Sequence, residues 1–260
     1  MTTVNGFEVE EKLCESINNK TYYDLNKNLQ YLVFYLFRHL NKEIKFNCFC
    51  TKNFNKPDIC ISQQRDLKYI SVKSGQCEGV HNEDLRTFIE FLKENKISDE
   101  SIETYLLYHY GDGTTDGTGE RRMNTIEVRF TYDDRIKKMN EEFNESKDFI
   151  KKFANRVLFQ GVDPDAVKAE FIYHGDVDYG VFCSRNQIMR HIERRNWDYM
   201  QTCVHIGPFT LRPHARYARS TYNNVKHEDH RHIVSVNYPR FLQDLMYISS
   251  RQKYDYNPNK

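Results

Sequence analysis

Bulk charge is the first thing missing. The chain sets 38 Lys and Arg against 37 Asp and Glu, for a formal net charge of +1. A chain so balanced does not attract polyanions through its overall field, so a nucleic-acid partner has to be met by a local basic patch. No apolar run reaches the 18 residues of a membrane span, and the N-terminus carries no signal-peptide pattern. The expectation is a soluble, cytoplasmic protein without a membrane partner. Seven cysteines, an odd number without paired spacing, exclude a disulfide framework and predict reduced, mostly buried thiols. Metal and phosphate motifs are also lacking. Cys48-x-Cys50 has no second Cys/His pair at finger spacing, and reads as core strand. His227, His230 and His232, with Cys203, His205 and His214 near in sequence, have no Cys pair or His-Glu-x-x-His to support zinc, and read as surface histidines. The run Gly111 to Gly119 is followed by no Gly-Lys-Ser/Thr and lacks EF-hand spacing, so it reads as a loop.

What remains is a chain of 260 residues, 39% hydrophobic and 29% charged. That suffices for one large domain or two small ones with a sizeable core. Its organising stretch is Pro57-Asp58-Ile59-Cys60-Ile61 followed by Lys68-Tyr69-Ile70-Ser71-Val72-Lys73-Ser74-Gly75. Each half alternates polar with apolar residues, the period of a half-buried strand, and Ser62 to Asp66 is a polar turn between them. In a hairpin register the end that starts with Asp58 lies beside the end that closes with Lys73. Ser71 and Lys73, two apart, share a face. An Asp, a second oxygen group and a Lys converging at one end of a small sheet suit metal-assisted phosphodiester hydrolysis.

These residues resemble the signature of the PD-(D/E)xK nuclease superfamily, to which many restriction endonucleases belong. Pro57-Asp58 matches the PD, and Ser71-Val72-Lys73 matches (D/E)xK except that serine replaces the acid. The resemblance implies a mixed α/β fold, with a restriction-endonuclease-like central sheet flanked by helices. It also implies Mg²⁺, with Mn²⁺ as a substitute, held by Asp58, a glutamate of the first helix and the Val72 carbonyl. Lys73 would steady the attacking water. Ser71, a weaker ligand than a carboxylate, leaves three readings: one anion fewer, a carboxylate recruited from elsewhere, or a site that binds without cutting. Gly6-x-x-Val9-Glu10-x-x-Leu13 is similar to the family's first helix and puts Glu10 in the metal role, with Glu11 and Glu15 as rivals. Glu83 and Glu90 are further candidates for the missing acid, Glu90 ahead. The ordinary fate of all these glutamates is a solvated helix face.

Along the chain, Val9, Leu13 and Ile17 predict a first helix, Tyr22 to Leu40 a buried one and Lys45 to Cys50 a strand. After Lys73, His81 or Asn82 caps a helix running to Lys96, and Glu103 to Tyr110 reads as a strand. Thr131 to Phe159 is helical, with Gly161 and Asp163-Pro164 as a boundary. Further strands are expected at Ala169 to Gly175, Tyr179 to Cys183, Cys203 to Leu211 and His232 to Val236, with helices after Ser184 and at Arg240 to Leu245. The organisation expected is a catalytic core over 1–120, a helical connector over 121–164 and an α+β DNA-recognition region over 165–260. The nucleic-acid contacts expected are Gln76, Arg121, Arg122, Arg190, Arg212, Arg216, Tyr217 and Arg219. A solvated basic loop is the alternative for the arginine-rich stretch from Arg212 to Tyr222. Double-stranded DNA as partner and a homodimer matched to its two-fold symmetry follow from the resemblance.

Overall fold

The structure is a computed structural model that describes residues 6–51, 56–75, 78–197, 203–213 and 230–250. The protein is mixed α/β with two sheets. The chain forms two compact units, each discontinuous: Met1–Cys77, Ala154–His191 and Arg240–Lys260 make one, Glu78–Phe153 and Ile192–Pro239 the other.

The first unit is built on a five-stranded sheet ordered β1-β2-β3-β5-β6, from Asn47–Cys50, Ile59–Gln63, Asp66–Lys73, Phe171–Gly175 and Gly180–Ser184. All neighbours are antiparallel except β3 and β5, which run parallel. Alternation assigns the faces. Ile59, Ile61, Ile70, Val72, Tyr173 and Phe182 join the core beneath α1 (Gly6–Ile17) and α2 (Lys27–Leu36). Helix α1 forms because Val9, Leu13 and Ile17 give one buried stripe while Glu8, Glu11, Lys12 and Glu15 stay exposed. Helix α2 starts at Asn26, whose side chain accepts the Leu29 amide at 2.9 Å. The opposite face carries Cys60, Ser71, Ile172 and Cys183, and the Cys183 thiol reaches the Leu245 carbonyl of α9 (Phe241–Ser250) at 3.5 Å.

The second unit has an antiparallel sheet ordered β4-β9-β8-β7, from Gly79–Asp84, Ile233–Asn237, Phe209–Pro213 and His205–Ile206. Its helices include α3 (Leu85–Glu94), α4 (Asp99–Tyr110), α5 (Thr125–Thr131) and α6 (Asp133–Glu145). Helices α7 (Lys147–Asn155) and α8 (Arg185–Arg194) each cross a boundary between the units' sequence segments.

Several expectations are corrected here. Glu103 to Tyr110 is not a strand but the body of α4. Ser98 caps its start by accepting the Ser101 amide at 3.2 Å, and Gly111 ends it at φ 65°. From Ser101 to Tyr110, Glu103 alone is exposed and Leu106 half-buried, so the exposed side is too narrow for the run to show a clear helical period. The residues expected to cap the next helix, His81 and Asn82, lie in strand β4 instead. The cap is Asp84, which accepts the Arg86 amide at 2.8 Å. Glu83 is therefore a buried strand residue, while Glu90 is exposed on α3. The contiguous division at 120 and 164 also differs from the compact units. Strands β5 and β6 and helix α9, expected in a separate C-terminal region, complete the sheet of the first unit because β5 pairs directly with β3.

Candidate active site

Strand pairing alone brings the signature together. The Asp58 amide donates to the Ile70 carbonyl, and the Asp58 carbonyl accepts the Thr51 amide, both at 2.9 Å. Asp58 thus extends β2 by one residue between β1 and β3, directly opposite Ser71 by continuation of the Ile59–Ile70 pair. Just before it, Lys56 donates its ammonium to the Val157 carbonyl in the widened helical turn Arg156–Gln160, anchoring the approach to Asp58.

Three donors converge on one carboxylate oxygen. Asp58 Oδ2 accepts the Val72 amide at 2.6 Å, the Ser71 hydroxyl at 3.0 Å and the Lys73 ammonium at 3.4 Å. Lys73 Nζ also donates to Ser71 Oγ at 2.8 Å and to the Val72 carbonyl at 2.9 Å. The hydroxyl of Ser71, with none of its residue exposed, is therefore the link between Asp58 and Lys73. In an acid's place it contributes a clamp and no charge. The side chains of Lys73 and Asp58 keep 21% and 22% exposure, so the pair is open to solvent at one edge.

Glu10 completes the cluster. Burial, reinforced by the negative charge of Asp58 and opposed by Lys73, pushes its carboxyl up to about 7. Of the three candidate glutamates on α1, Glu10 is half-buried and Glu11 and Glu15 are exposed. The helix stripe explains the choice: Glu10 borders Val9 and Leu13, so it rides at the edge of the face that packs on the sheet. Two carboxylates and a backbone carbonyl are hard oxygen donors of the kind Mg²⁺ prefers. Two carboxylates close enough to repel one another are also relieved by a cation between them. The residues present fit such an ion. Serine at position 71 adds no third side-chain anion, and among the described residues no group of three or more His, Cys, Asp or Glu converges on a metal position.

The remaining candidates separate. Glu83, Glu90, Arg121, Arg122 and Arg212 belong to the other unit. Arg121 pairs with Glu127 at 2.8 Å, and Arg122 donates to the Tyr110 and His109 carbonyls at 2.8 and 3.2 Å, fastening the end of α4. Arg212 is half-buried on β8, and Arg190 is exposed on α8 within the unit that holds the site. Gln76, Arg216, Tyr217, Arg219, His214 and His227 lie outside the described residues. Sequence reasoning missed Lys56. Lys56 adjoins the motif, but its partner Val157 is 101 positions away.

No protein-family model matches the chain, and no curated protein matches it. No helix among the described residues is long and apolar enough to cross a membrane.

Proposed function

We propose that the protein is a Mg²⁺-dependent endonuclease that hydrolyses phosphodiester bonds of DNA, of restriction type and sequence-specific, with Mn²⁺ as a substitute cofactor. The observation that carries this reading is the convergence of Asp58, Lys73 and Glu10, from two strands and a helix, at one end of the sheet. Asp58 and Glu10 would hold the cation, with the Val72 carbonyl as a further oxygen. When bound, the ion supplies Lewis-acid polarisation of the phosphate and of the attacking water. Lys73 orients that water and offsets the negative charge that grows on the phosphate. Ser71 keeps the Asp58 carboxylate and the Lys73 ammonium in fixed relation. A homodimer on double-stranded DNA in the cytoplasm belongs to the same proposal.

A second reading is a nuclease-like module that binds nucleic acid without cutting it. It is favoured by the engagement of Ser71, whose hydroxyl is already taken by Asp58 and Lys73. The test is incubation of native protein, Lys73→Ala and Asp58→Asn with methylated and unmethylated plasmid and genomic DNA, with Mg²⁺ or Mn²⁺. The nuclease predicts discrete fragments from the native protein and a loss of about 100-fold or more in either variant, in the range of lost acid–base or electrostatic groups. Salt-sensitive DNA binding without any cleavage would leave the second reading standing.

A further inference from the structure

Three of the seven cysteines meet within the first unit. Cys14 sits on α1, and Cys48 and Cys50, two apart on β1, share one face of the sheet. That face is the one α1 covers, since Cys48 stands opposite Ile61 and Cys50 opposite Ile59. Both strand thiols donate to the Cys14 sulfur, Cys48 at 3.3 Å and Cys50 at 3.5 Å. None of the three is bridged. A buried cysteine by itself is a small apolar side chain; two sulfurs held against a third are a different arrangement. Among the described residues no cluster of this kind converges on a metal position, so what the trio offers is bonding between sulfurs.

Reach and access decide which sulfurs react. A disulfide is about 2.05 Å long, so either pair has to close by only about 1.3 to 1.5 Å. Cys14 and Cys48 are 8% and 5% exposed, while Cys50 is half-buried. Cys50 is therefore the sulfur that a small oxidant in solution meets first. Burial pushes its thiol up to about 12, so the thiolate is scarce at neutral pH and its oxidation quickens as pH rises.

We propose that Cys14, Cys48 and Cys50 form an oxidation site, at which a peroxide acts on Cys50 and a disulfide then fastens α1 to β1. The Cys50 sulfur attacks one peroxide oxygen and the O–O bond breaks. Cys50 becomes a sulfenic acid, and the departing hydroxide takes the thiol proton to leave as water. The Cys14 sulfur then displaces the hydroxyl, which forms the S–S bond and releases a second water. Two thiols have lost two electrons and one peroxide has gained them. Cys48, nearer to Cys14 and deeper, takes over the bond by thiol–disulfide exchange, which returns Cys50 to a thiol. Glu10 lies one turn before Cys14 on α1, so the bond fastens the turn that carries a proposed metal ligand. The site itself does not depend on the nuclease reading.

The experiment treats purified full-length protein with hydrogen peroxide at pH 8, unfolds it, alkylates the remaining thiols and digests it with trypsin without reductant. Cys14 falls in the tryptic peptide 13–20, and Cys48 and Cys50 in 46–52. The expected result is peptide 13–20 linked to 46–52, two fewer alkylated thiols per chain, and loss of the link on treatment with dithiothreitol. Cys50→Ser, which leaves only the buried pair, should slow formation of the link about tenfold or more, and Cys14→Ser should abolish it. The mapping of native protein decides the bond even where a variant fails to fold. Unlinked peptides after peroxide, a bond confined to 46–52, or a link only between two chains would each overturn the proposal. A link that forms at the native rate in Cys50→Ser would overturn the entry of oxidant at Cys50.

Discussion

At the scale of the residue, Glu10 carries the sharpest consequence. Its carboxyl titrates near 7 in the fold against an ordinary 4.5, chiefly because burial disfavours its charge. The folded state therefore holds that proton more tightly than the unfolded chain does. Its contribution to stability is fully present below pH 4.5 and is lost as pH rises through about 7. Glu10→Gln removes the penalty. In chelator, with no divalent ion, the variant should be more stable than native protein at pH 8 and indistinguishable at pH 4. The shift converts to about 3 kcal/mol at 1.36 kcal/mol per unit, and solvent screening of a half-buried group reduces that to about 1–2 kcal/mol. Urea unfolding at the two pH values measures it, and an equal effect at both would refute the burial argument. The same variant should lose metal-dependent cleavage, so stability and activity move in opposite directions, as expected where a site keeps charges its fold would rather not hold. Asp58 and Lys73 were legible because alternation and a short turn fix which ends of a hairpin meet. Ser71 was legible as a departure, but its role as the clamp between them was not, since a hydroxyl's partners depend on side-chain geometry.

At the scale of the element, the hairpin of β5 and β6 shows what spacing conveys and what it leaves out. The two strands and the Ser184 cap, whose hydroxyl accepts the Gln187 amide at 3.4 Å, follow from the alternating Phe-Ile-Tyr-His and Gly-Val-Phe-Cys runs. That β5 pairs in parallel with β3, almost a hundred residues earlier, is a choice among strands that no local pattern encodes. The same limit explains α4, whose narrow exposed side hides its period, and β4, where polar His81, Asn82 and Glu83 disguise a strand paired with β9. Within the hairpin, Gly180 carries a specific demand. A Cβ there would run into the Tyr173 ring and hydroxyl. That hydroxyl accepts Asn28 Nδ2 at 2.8 Å and donates to the Asp176 carbonyl, joining the hairpin tip to α2. Gly180→Ala should therefore cost about 1–3 kcal/mol, the range of an overpacked core. Adding Tyr173→Phe, which removes the hydroxyl from the collision, should recover part of that loss; chemical denaturation of the single and double variants checks both.

At the scale of the whole molecule, the site depends on segments that the chain brings in late. Residues 1–120 contain Glu10, Asp58, Ser71 and Lys73, and a contiguous reading makes them a self-sufficient core. The sheet contradicts that economy. Without residues 171–184 strand β3 loses its parallel neighbour and becomes an edge, and Ile70 and Val72, both within 5% of full burial, lose Tyr173 and Phe182 from the core they share. His174 and α9 go with them. Removing two large aromatic side chains alone costs about 3–5 kcal/mol each, comparable to the whole stability of an ordinary domain. A fragment ending at residue 120 should accordingly show no cooperative thermal transition and no cleavage, even with every proposed ligand present. Adding a separate peptide spanning residues 154–191 supplies β5 and β6 and should restore part of the sheet signal by circular dichroism. A fragment that melts cooperatively by itself would show that β3 does not need β5 as a neighbour.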